Sequence, residues 1–570
     1  MDKHEVSKIL NDIGLLLEIQ GESFFKSKAY YDASRTLELL DEDLEELIST
    51  GRLKEIKGIG TALTQKITEL VTTGRLEYYE KLKETIPQGL IDMLKIPGFG
   101  PKKVTQVYKK LGITTLGELK YACEENRLTK LEGFGEKTQE KILKGIENLN
   151  SYSNQFHYPF AKSIADILIS DLKDSGHVIR ISEGGSLRRK KETVKDIDIL
   201  ASSNNANAVM EIFTSHPLVE SVTSKGETKS AVVLKDGINV DLRVVSDDQY
   251  PYALHHFTGS KEHNTALRHI AKKQGIKVNE YGLFRGDEII KCNDEKDIFK
   301  VFGMDYIVPE LRENNGELEA ASINQLPRLI EDKDIKGILH VHTTYSDGAN
   351  TIEEMVKHSL ELGYSYLGIT DHSKSAYYAG GMLEDDIKRQ HEEIDKLNER
   401  YSNFKILKGI ELDILPDGSL DYGEDILSLF DFTIASVHSS FNMDEDKMTQ
   451  RVLKAINNKY VTILGHPTGR LLLSREPFKI NLGEIIKVCA SGNVFLEINA
   501  NPHRLDMDWR LLKGAKEEGC KFAICPDAHR VEGLNDIKYG INTARKGWLE
   551  KGDVINTLDA SEFSFLIKHP

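Results

Sequence analysis

What this sequence lacks narrows it before any motif does. Its five cysteines (Cys123, Cys292, Cys489, Cys520 and Cys525) form no Cys-x-x-Cys pair, which points to a reducing cytoplasm rather than a disulfide framework. No apolar run approaches a membrane span, and the start, Met1-Asp2-Lys3-His4-Glu5, has no signal-peptide core. No association with a membrane is therefore expected. An excess of basic charge is missing too: 75 Lys and Arg face 90 Asp and Glu, for a net charge of −15. None of the segments 1–150, 151–320 and 321–570 is basic overall. Bulk attraction cannot supply affinity for a polyanion, so any such contact must come from local patches and backbone N–H groups. Carboxylates gathered around metal ions would also inflate the negative count. With 39% hydrophobic and 29% charged residues the chain reads as folded, and its length allows roughly three to five domains.

The stretch Gly184-Gly185-Ser186-Leu187-Arg188-Arg189-Lys190-Lys191-Glu192-Thr193-Val194-Lys195-Asp196-Ile197-Asp198-Ile199-Leu200 is the centre of the reading. Ile197, Ile199 and Leu200 give strand alternation, so Asp196 and Asp198 point to one face. Two carboxylates that close repel unless a cation lies between them. The Gly-Gly-Ser turn offers backbone N–H groups to an anion, with the Arg188–Lys191 run beside it. A third carboxylate, Asp241, sits on a second alternating strand, Ile238 to Val245. Three strand-borne carboxylates beside a phosphate turn fit two-metal phosphoryl transfer, with two Mg²⁺ or Mn²⁺ ions roughly 3.5–4 Å apart.

Upstream, an apolar residue, a Gly-x-Gly turn and a helix recur three times: at Gly58-Ile59-Gly60, Gly98-Phe99-Gly100 and Gly133-Phe134-Gly135. Glycine permits the tight turn and close backbone approach, and each helix start presents N–H groups to an anion such as a DNA phosphate. Lys102 and Lys103 follow the second turn, whereas Glu132, Glu136 and Glu140 surround the third, where packing is as good a reading as binding. Lys66 lies eight residues beyond Gly58.

Most of the eighteen histidines lie beyond residue 335. Apolar runs ending in polar groups recur: Ile335 to Leu339 before His340 and His342, Leu367 to His372, Ile406 to Glu411, Phe432 to His438, Val461 to His466, Val494 to Asn499, and Phe522 to Asp527 with His529. Helical stretches separate them. The pattern is that of a β/α barrel with its site at the strands' C-terminal rim. Imidazoles and carboxylates without thiolates suit Zn²⁺, Mn²⁺ or Fe²⁺ in an open site, and metal-activated water attacking phosphorus is the matching chemistry.

Gly185-Ser186, Arg189, Asp196-x-Asp198 and Asp241 resemble the palm of family X DNA polymerases, in the nucleotidyltransferase superfamily. His256-Phe257-Thr258-Gly259-Ser260 resembles that family's nucleotide-pocket turn, with His256 where eukaryotic members carry Tyr, and Asn264 falls at a minor-groove contact. The resemblance implies Arg189 as a contact to the outer phosphates. The glycine turns resemble helix-hairpin-helix motifs, implying DNA contacts at Gly58, Gly60, Gly98, Gly100, Lys102 and Lys103, with Lys66 at a position that carries a lyase lysine in some members. Residues 336–570 resemble the polymerase and histidinol phosphatase (PHP) family. That likeness implies a distorted seven-stranded barrel with three divalent metals, Zn²⁺ or Mn²⁺: one on His340, His342, Glu411 and Asp527, a second on Glu411, His438 and His466, and a third on Asp347, His372 and His529. Arg470 is a candidate for substrate phosphate.

The expected architecture is multidomain α+β and α/β: a helical gap-end domain (1–85), a fingers-like helical DNA-binding domain (86–150), a nucleotidyltransferase palm (151–245), a thumb (246–312), a linker (313–335) and the barrel (336–570). The expected protein is a monomeric cytoplasmic repair polymerase using gapped or nicked duplex DNA and deoxynucleoside triphosphates. Its barrel would be a 3′–5′ exonuclease, abasic-site endonuclease or 3′-phosphatase. The alternatives are a barrel acting on a small phosphate compound and a DNA-end-binding scaffold with degenerate sites.

Overall fold

The computed structural model describes every residue except 2, 39, 41, 130, 151–154 and 569–570. Two compact units emerge, Met1–Asn150 and Ser151–Pro570. The junction expected at 150–151 borders residues 151–154, which lie outside the described residues.

The first unit is helical. Leu10, Ile13 and Leu17 recur at helical spacing along Lys3–Gln20 and are fully buried against Phe24–Glu38 and the helices that follow. The three glycine turns share one construction. Gly58, Gly98 and Gly133 have φ of 97°, 79° and 84°, a region costly for any residue with a Cβ. The middle residue of each turn, Ile59, Phe99 or Phe134, is buried, which anchors the turn from inside while its glycines stay at the surface. Phe99 and Phe134 meet edge to face at 6.1 Å, so the second and third turns pack as a pair.

In the second unit a five-stranded sheet runs in the order Arg180–Glu183, Asp196–Ser202, Asn239–Val245, Lys229–Leu234, Val219–Lys225. The Asp196–Ser202 and Asn239–Val245 strands are parallel. Ile197, Ile199, Val240 and Leu242 pack with Leu168 and Phe213 of the covering helices, which leaves the alternate aspartates on the other face. A smaller subdomain follows, with helices Tyr250–Thr258 and Lys261–Lys273 and a three-stranded antiparallel sheet over residues 276–290.

The segment read as a linker is packed. It contains the helix Glu317–Ser322, whose Leu318 and Ala321 join Phe299 and Ile307 in a core. Glu317 is fully buried and bonds His263 at 2.7 Å. A buried carboxylate with a histidine partner breaks the apolar periodicity, which is why the sequence pattern does not show this helix.

The last region holds seven parallel strands in chain order: Gly337–Ile338, Tyr366–Ile369, Lys405–Asp413, Phe432–Ser436, Ile463–Leu464, Phe495–Asn499 and Phe522–Cys525. A parallel bridge between Val341 and Ala528 links the first and last at the rim. Just beyond the ends of the first and fifth strands, His340 and His466 have φ of 63° and 25°. Inside, the Phe432 ring occupies space that side chains at Gly368 and Gly409 would need: a Cβ at either position would lie 2.6 Å from it. Phe563 closes the other end, packing on Tyr366 and Phe432 at 6.0 and 5.9 Å. Gly368→Ala is expected to destabilise the protein by about 1–3 kcal/mol through overpacking, read as a lower urea midpoint. An unchanged midpoint would show that the Phe432 ring gives way freely.

Candidate metal centres

The first centre is built by strand register. Asp198 and Asp241 are direct partners across the parallel pair, and Asp196 lies one pleat away on the same face. Burial, reinforced by Asp196 and Asp241, pushes the Asp198 carboxyl up to about 6. Burial and Asp241 also raise Asp196. Lys229 reaches Asp241 at 2.7 Å, a partner that the sequence does not announce. The turn Gly184-Gly185 fits against this cluster. A Cβ on Gly185, where φ is 53°, would fall 2.0 Å from Asp198 Oδ2, and one on Gly184 would lie 3.3 Å from Asp198 Cβ and from Phe257 O. Glycine is needed there because the carboxylate and the 256–260 turn crowd it. Three carboxylates brought to one sheet face by register are a fitting donor set for hard divalent cations.

The residues read as nucleotide-binding gather here, and several are already engaged. Gly185–Arg188 forms one helical turn carrying Ser186. Arg189 Nη1 donates to Thr258 O at 2.5 Å and its Nε to Glu313 at 3.1 Å, so its fork faces the turn and a carboxylate within the protein. Ser260 Oγ accepts from His263 N and starts the Lys261–Lys273 helix. Asn264 Nδ2 donates to His256 O at 2.8 Å, Phe257 lies 4.3 Å beneath the Arg243 guanidinium, and Gly259 has φ of 69°. His256, half-buried, has its imidazole pKa lowered by burial. A cavity of about 530 Å³ opens beside Ser186 and Asp196, and its far wall comes from Leu472, Glu476 and Arg510 of the barrel.

In the first unit, Gly58, Gly60, Gly98, Gly100 and Lys102 are exposed. Space beside Gly60, Gly98 and Gly100 is open. Lys103 donates to Gly98 O at 3.3 Å. Lys66 donates to the Tyr30 hydroxyl at 2.6 Å and lies 3.8 Å from the Tyr78 ring centre, in an aromatic notch.

The second centre is at the barrel rim. His340, His342, Asp347, His372, Glu411, His466, Asp527 and His529 are all buried, with His438 half-buried beside them. Glu411 is the hub. One of its oxygens lies 3.3 Å from His340 Nε2 and 3.1 Å from both His438 Nε2 and His466 Nε2, and the other lies 2.9 Å from His372 Nδ1 and 3.6 Å from His342 Nε2. Asp527 Oδ1 is 3.2 Å from His342 and 3.4 Å from His340, and Asp347 is 3.3 Å from His529 Nε2. Three sets bring ligand atoms within 4.8 Å of one another: His342, Asp347, His372 and His529; His340, His342 and Asp527; and His372, Glu411 and His438. His342 and His372 thus each belong to two sets, a sharing that sequence reasoning does not provide.

The electrostatics fit cations. Burial opposes ionisation of Glu411, yet His438, His340 and His372 hold its carboxyl well below the usual range. Burial, with His529 and His372 alongside, pushes His342 down to about 3. Burial beside Arg504 does the same to His466. Neutral imidazoles are what a metal requires; burial acts the same way on His340 and His438, but Asp527, Glu497 and Glu411 outweigh it at His340, and Glu411 and Asp413 raise His438 to about 9. His340 Nε2, His342 Nε2, Asp347 Oδ2 and Glu411 Oε2 are buried and make no hydrogen bond, a costly arrangement unless another ligand satisfies them. Outer carboxylates orient the rings: Glu497 bonds His340 Nδ1 at 2.5 Å and Asp413 bonds His438 Nδ1 at 2.5 Å. Such partners fix tautomers at metal sites. Neither was singled out from the sequence, although each lies on one of the rim strands. Arg470 is turned to Asp508 at 2.8 Å and to backbone carbonyls of Arg504 and Leu505, so it braces a loop.

Family models match a helix-hairpin-helix domain over residues 1–76, a SAM-like helix-hairpin-helix tandem over 90–148, the DNA polymerase beta thumb over 253–313 and the PHP domain over 339–501. The DNA polymerase/3′-5′ exonuclease PolX of Bacillus subtilis (strain 168) is 40% identical over 572 residues, covering 100% of both chains. The chain belongs to the PolX family. Shorter relatives match its parts. The repair DNA polymerase X of African swine fever virus (strain Badajoz 1971 Vero-adapted) is 30% identical over 179 residues, 30% of this chain and 98% of its own. A probable phosphatase of Thermoanaerobacter sp. (strain X514) is 27% identical over 229 residues, 38% of this chain and 89% of its own. The PHP match stops at residue 501, short of Asp527 and His529, which the barrel topology nonetheless brings to the same rim.

Asp198 gives a measurable consequence. Its folded pKa lies above its unfolded value, so its contribution to stability is lost as pH rises through about 6. In chelator at pH 8, Asp198→Asn is expected to melt about 2–4 °C above wild type, with the gap closing as pH falls below 6. A gap that stays constant with pH would show that Asp198 is not strained by its neighbours.

Proposed function

We propose that this PolX-family chain is a DNA-repair polymerase that fills short gaps, with a barrel that removes nucleotides from 3′ ends. The full-length match to the Bacillus enzyme carries the reading, because it spans both centres at once. Asp196, Asp198 and Asp241 would hold Mg²⁺ or Mn²⁺, which supplies a clamp for the attacking and leaving oxygens of nucleotidyl transfer. Asp241, beside Asp198 in register, orients the primer 3′-hydroxyl and draws off its proton. Gly185 and Ser186 cradle the triphosphate, and Phe257, Gly259 and Ser260 pack the incoming sugar. Asn264, held by His256 O, faces the base.

DNA is gripped through backbone amides at the exposed glycine turns, a mode that carries no sequence preference and suits a chain without net positive charge. Gapped or nicked duplex is the substrate form, and the protein works as a cytoplasmic monomer. No helix among the described residues is long and apolar enough to cross a membrane.

In the barrel, His340, His342, Glu411 and Asp527, then His438 and His466, then Asp347, His372 and His529 would hold Zn²⁺ or Mn²⁺, which supplies an activated water and neutralises phosphate charge. The chain's own part is to keep His342 and His466 neutral and to fix the His340 and His438 rings through Glu497 and Asp413.

A gapped-duplex assay with and without Mn²⁺, run on wild type, Asp198→Ala and His342→Ala, tests both centres. Asp198→Ala is expected to lose primer extension by at least about a hundredfold and keep end shortening, and His342→Ala the reverse. End shortening that survives His342→Ala would reassign the barrel to a small phosphate compound. Extension that survives Asp198→Ala would remove the polymerase reading.

A further inference from the structure

The nucleotide loop of the palm is held by the barrel. Helix Ile537–Lys546 of the barrel region ends against the palm, and the Lys546 side chain is 1% exposed. Its ammonium donates to Arg189 O at 2.9 Å, to Glu310 O at 3.3 Å and to Glu313 Oε1 at 2.6 Å, and lies 4.6 Å from the Trp509 ring centre. Glu313 Oε1 also accepts from Arg189 Nε, and Arg189 Nη1 holds Thr258 O at the turn that precedes Gly259. The backbone and the guanidinium of Arg189 are therefore both tied to one cation supplied by another domain. Burying an ammonium is costly unless a carboxylate and full hydrogen bonding offset it. Here burial lowers the Lys546 pKa, while Glu313 opposes that shift.

We propose that Lys546 is a positioning residue for the polymerase site: through Glu313 and the Arg189 carbonyl it fixes the phosphate loop against the Thr258–Gly259 turn, so the barrel sets the nucleotide affinity of the palm. This rests on the polymerase reading above. Lys546 touches no reacting atom. Its effect belongs in the binding of the incoming nucleotide, because the groups it holds border the Gly185–Ser186 turn and the 256–260 turn, whereas Asp196, Asp198 and Asp241 are placed by the sheet itself.

Three full-length variants test it: Lys546→Met, which keeps the length and removes the charge; Glu313→Gln, which breaks the link from its other side; and Lys546→Arg, which restores a buried cation. In single-nucleotide gap filling, Lys546→Met and Glu313→Gln are expected to raise KM for the deoxynucleoside triphosphate about tenfold, with kcat changed less. Lys546→Arg should recover most of that loss. Shortening of a 3′ end by the barrel should stay within about twofold of wild type in all three. The proposal is overturned if KM is unchanged in both charge-removing variants, or if extension and end shortening fall together, the signature of misfolding alone. Wild-type protein that incorporates no nucleotide would overturn the polymerase reading, and this inference with it.

Discussion

Like charges gathered out of water must be compensated, and most of this chain's architecture follows from how that is done. The barrel rim collects Glu411, Asp347 and Asp527 in a buried space where their repulsion would be severe. Six imidazoles stand among them, and the carboxylates are stabilised in ionised form while His342 and His466 are kept neutral. Charge and lone pairs are left over, as the unbonded His340, His342 and Glu411 atoms show. Divalent cations resolve that imbalance. The backbone accepts strain to converge on it: His340, His466 and Asp527 all have positive φ, a cost of roughly 1–3 kcal/mol each that functional sites tolerate.

The palm meets the same constraint differently. Its three aspartates share one sheet face: Asp196 is exposed to water, while burial, with Asp196 and Asp241 beside it, raises the Asp198 pKa. Its basic run is compensated inside the fold. Arg188 pairs with Glu295, Arg189 with Glu313 and Lys190 with Glu310, while Arg545 and Lys546 of the barrel share the last two carboxylates. On the other side of the 530 Å³ cavity, Arg510 and Trp509 bond Glu192. The run that looks like a solvated basic patch in sequence is thus a cross-domain ion network, and little of its charge is left over for general attraction to DNA.

Legibility in the sequence followed the kind of constraint. Asp196-x-Asp198 and Asp241 could be read because a strand's period of two places them, and their register in the structure adds only that Asp198 meets Asp241. Most of the rim residues stand at or just past the end of an apolar run, and a parallel barrel gathers such ends, whereas Asp347, in the loop beyond His342, comes from the family resemblance alone. Arg189 could not be placed: its fork is directed by Glu313, 124 residues away, and no local pattern announces that partner. Glu317 was hidden for the same reason, since a buried carboxylate paired with His263 looks like a solvated one. Glu497 and Asp413 sit on strands that were recognised, but their role depends on which ring nitrogen they meet.

Long-range pairs are therefore where the two domains become one molecule. Each polymerase-side glutamate that joins the barrel, Glu192, Glu310 and Glu313, is largely buried. Ion pairs at such depth add little net stability against apolar packing but are expensive to break singly. A set of buried forks and carboxylates has one low-energy register, and that register fixes Arg189, the phosphate loop and the barrel mouth beyond the cavity relative to one another. Specific placement, more than adhesion, is what this network contributes.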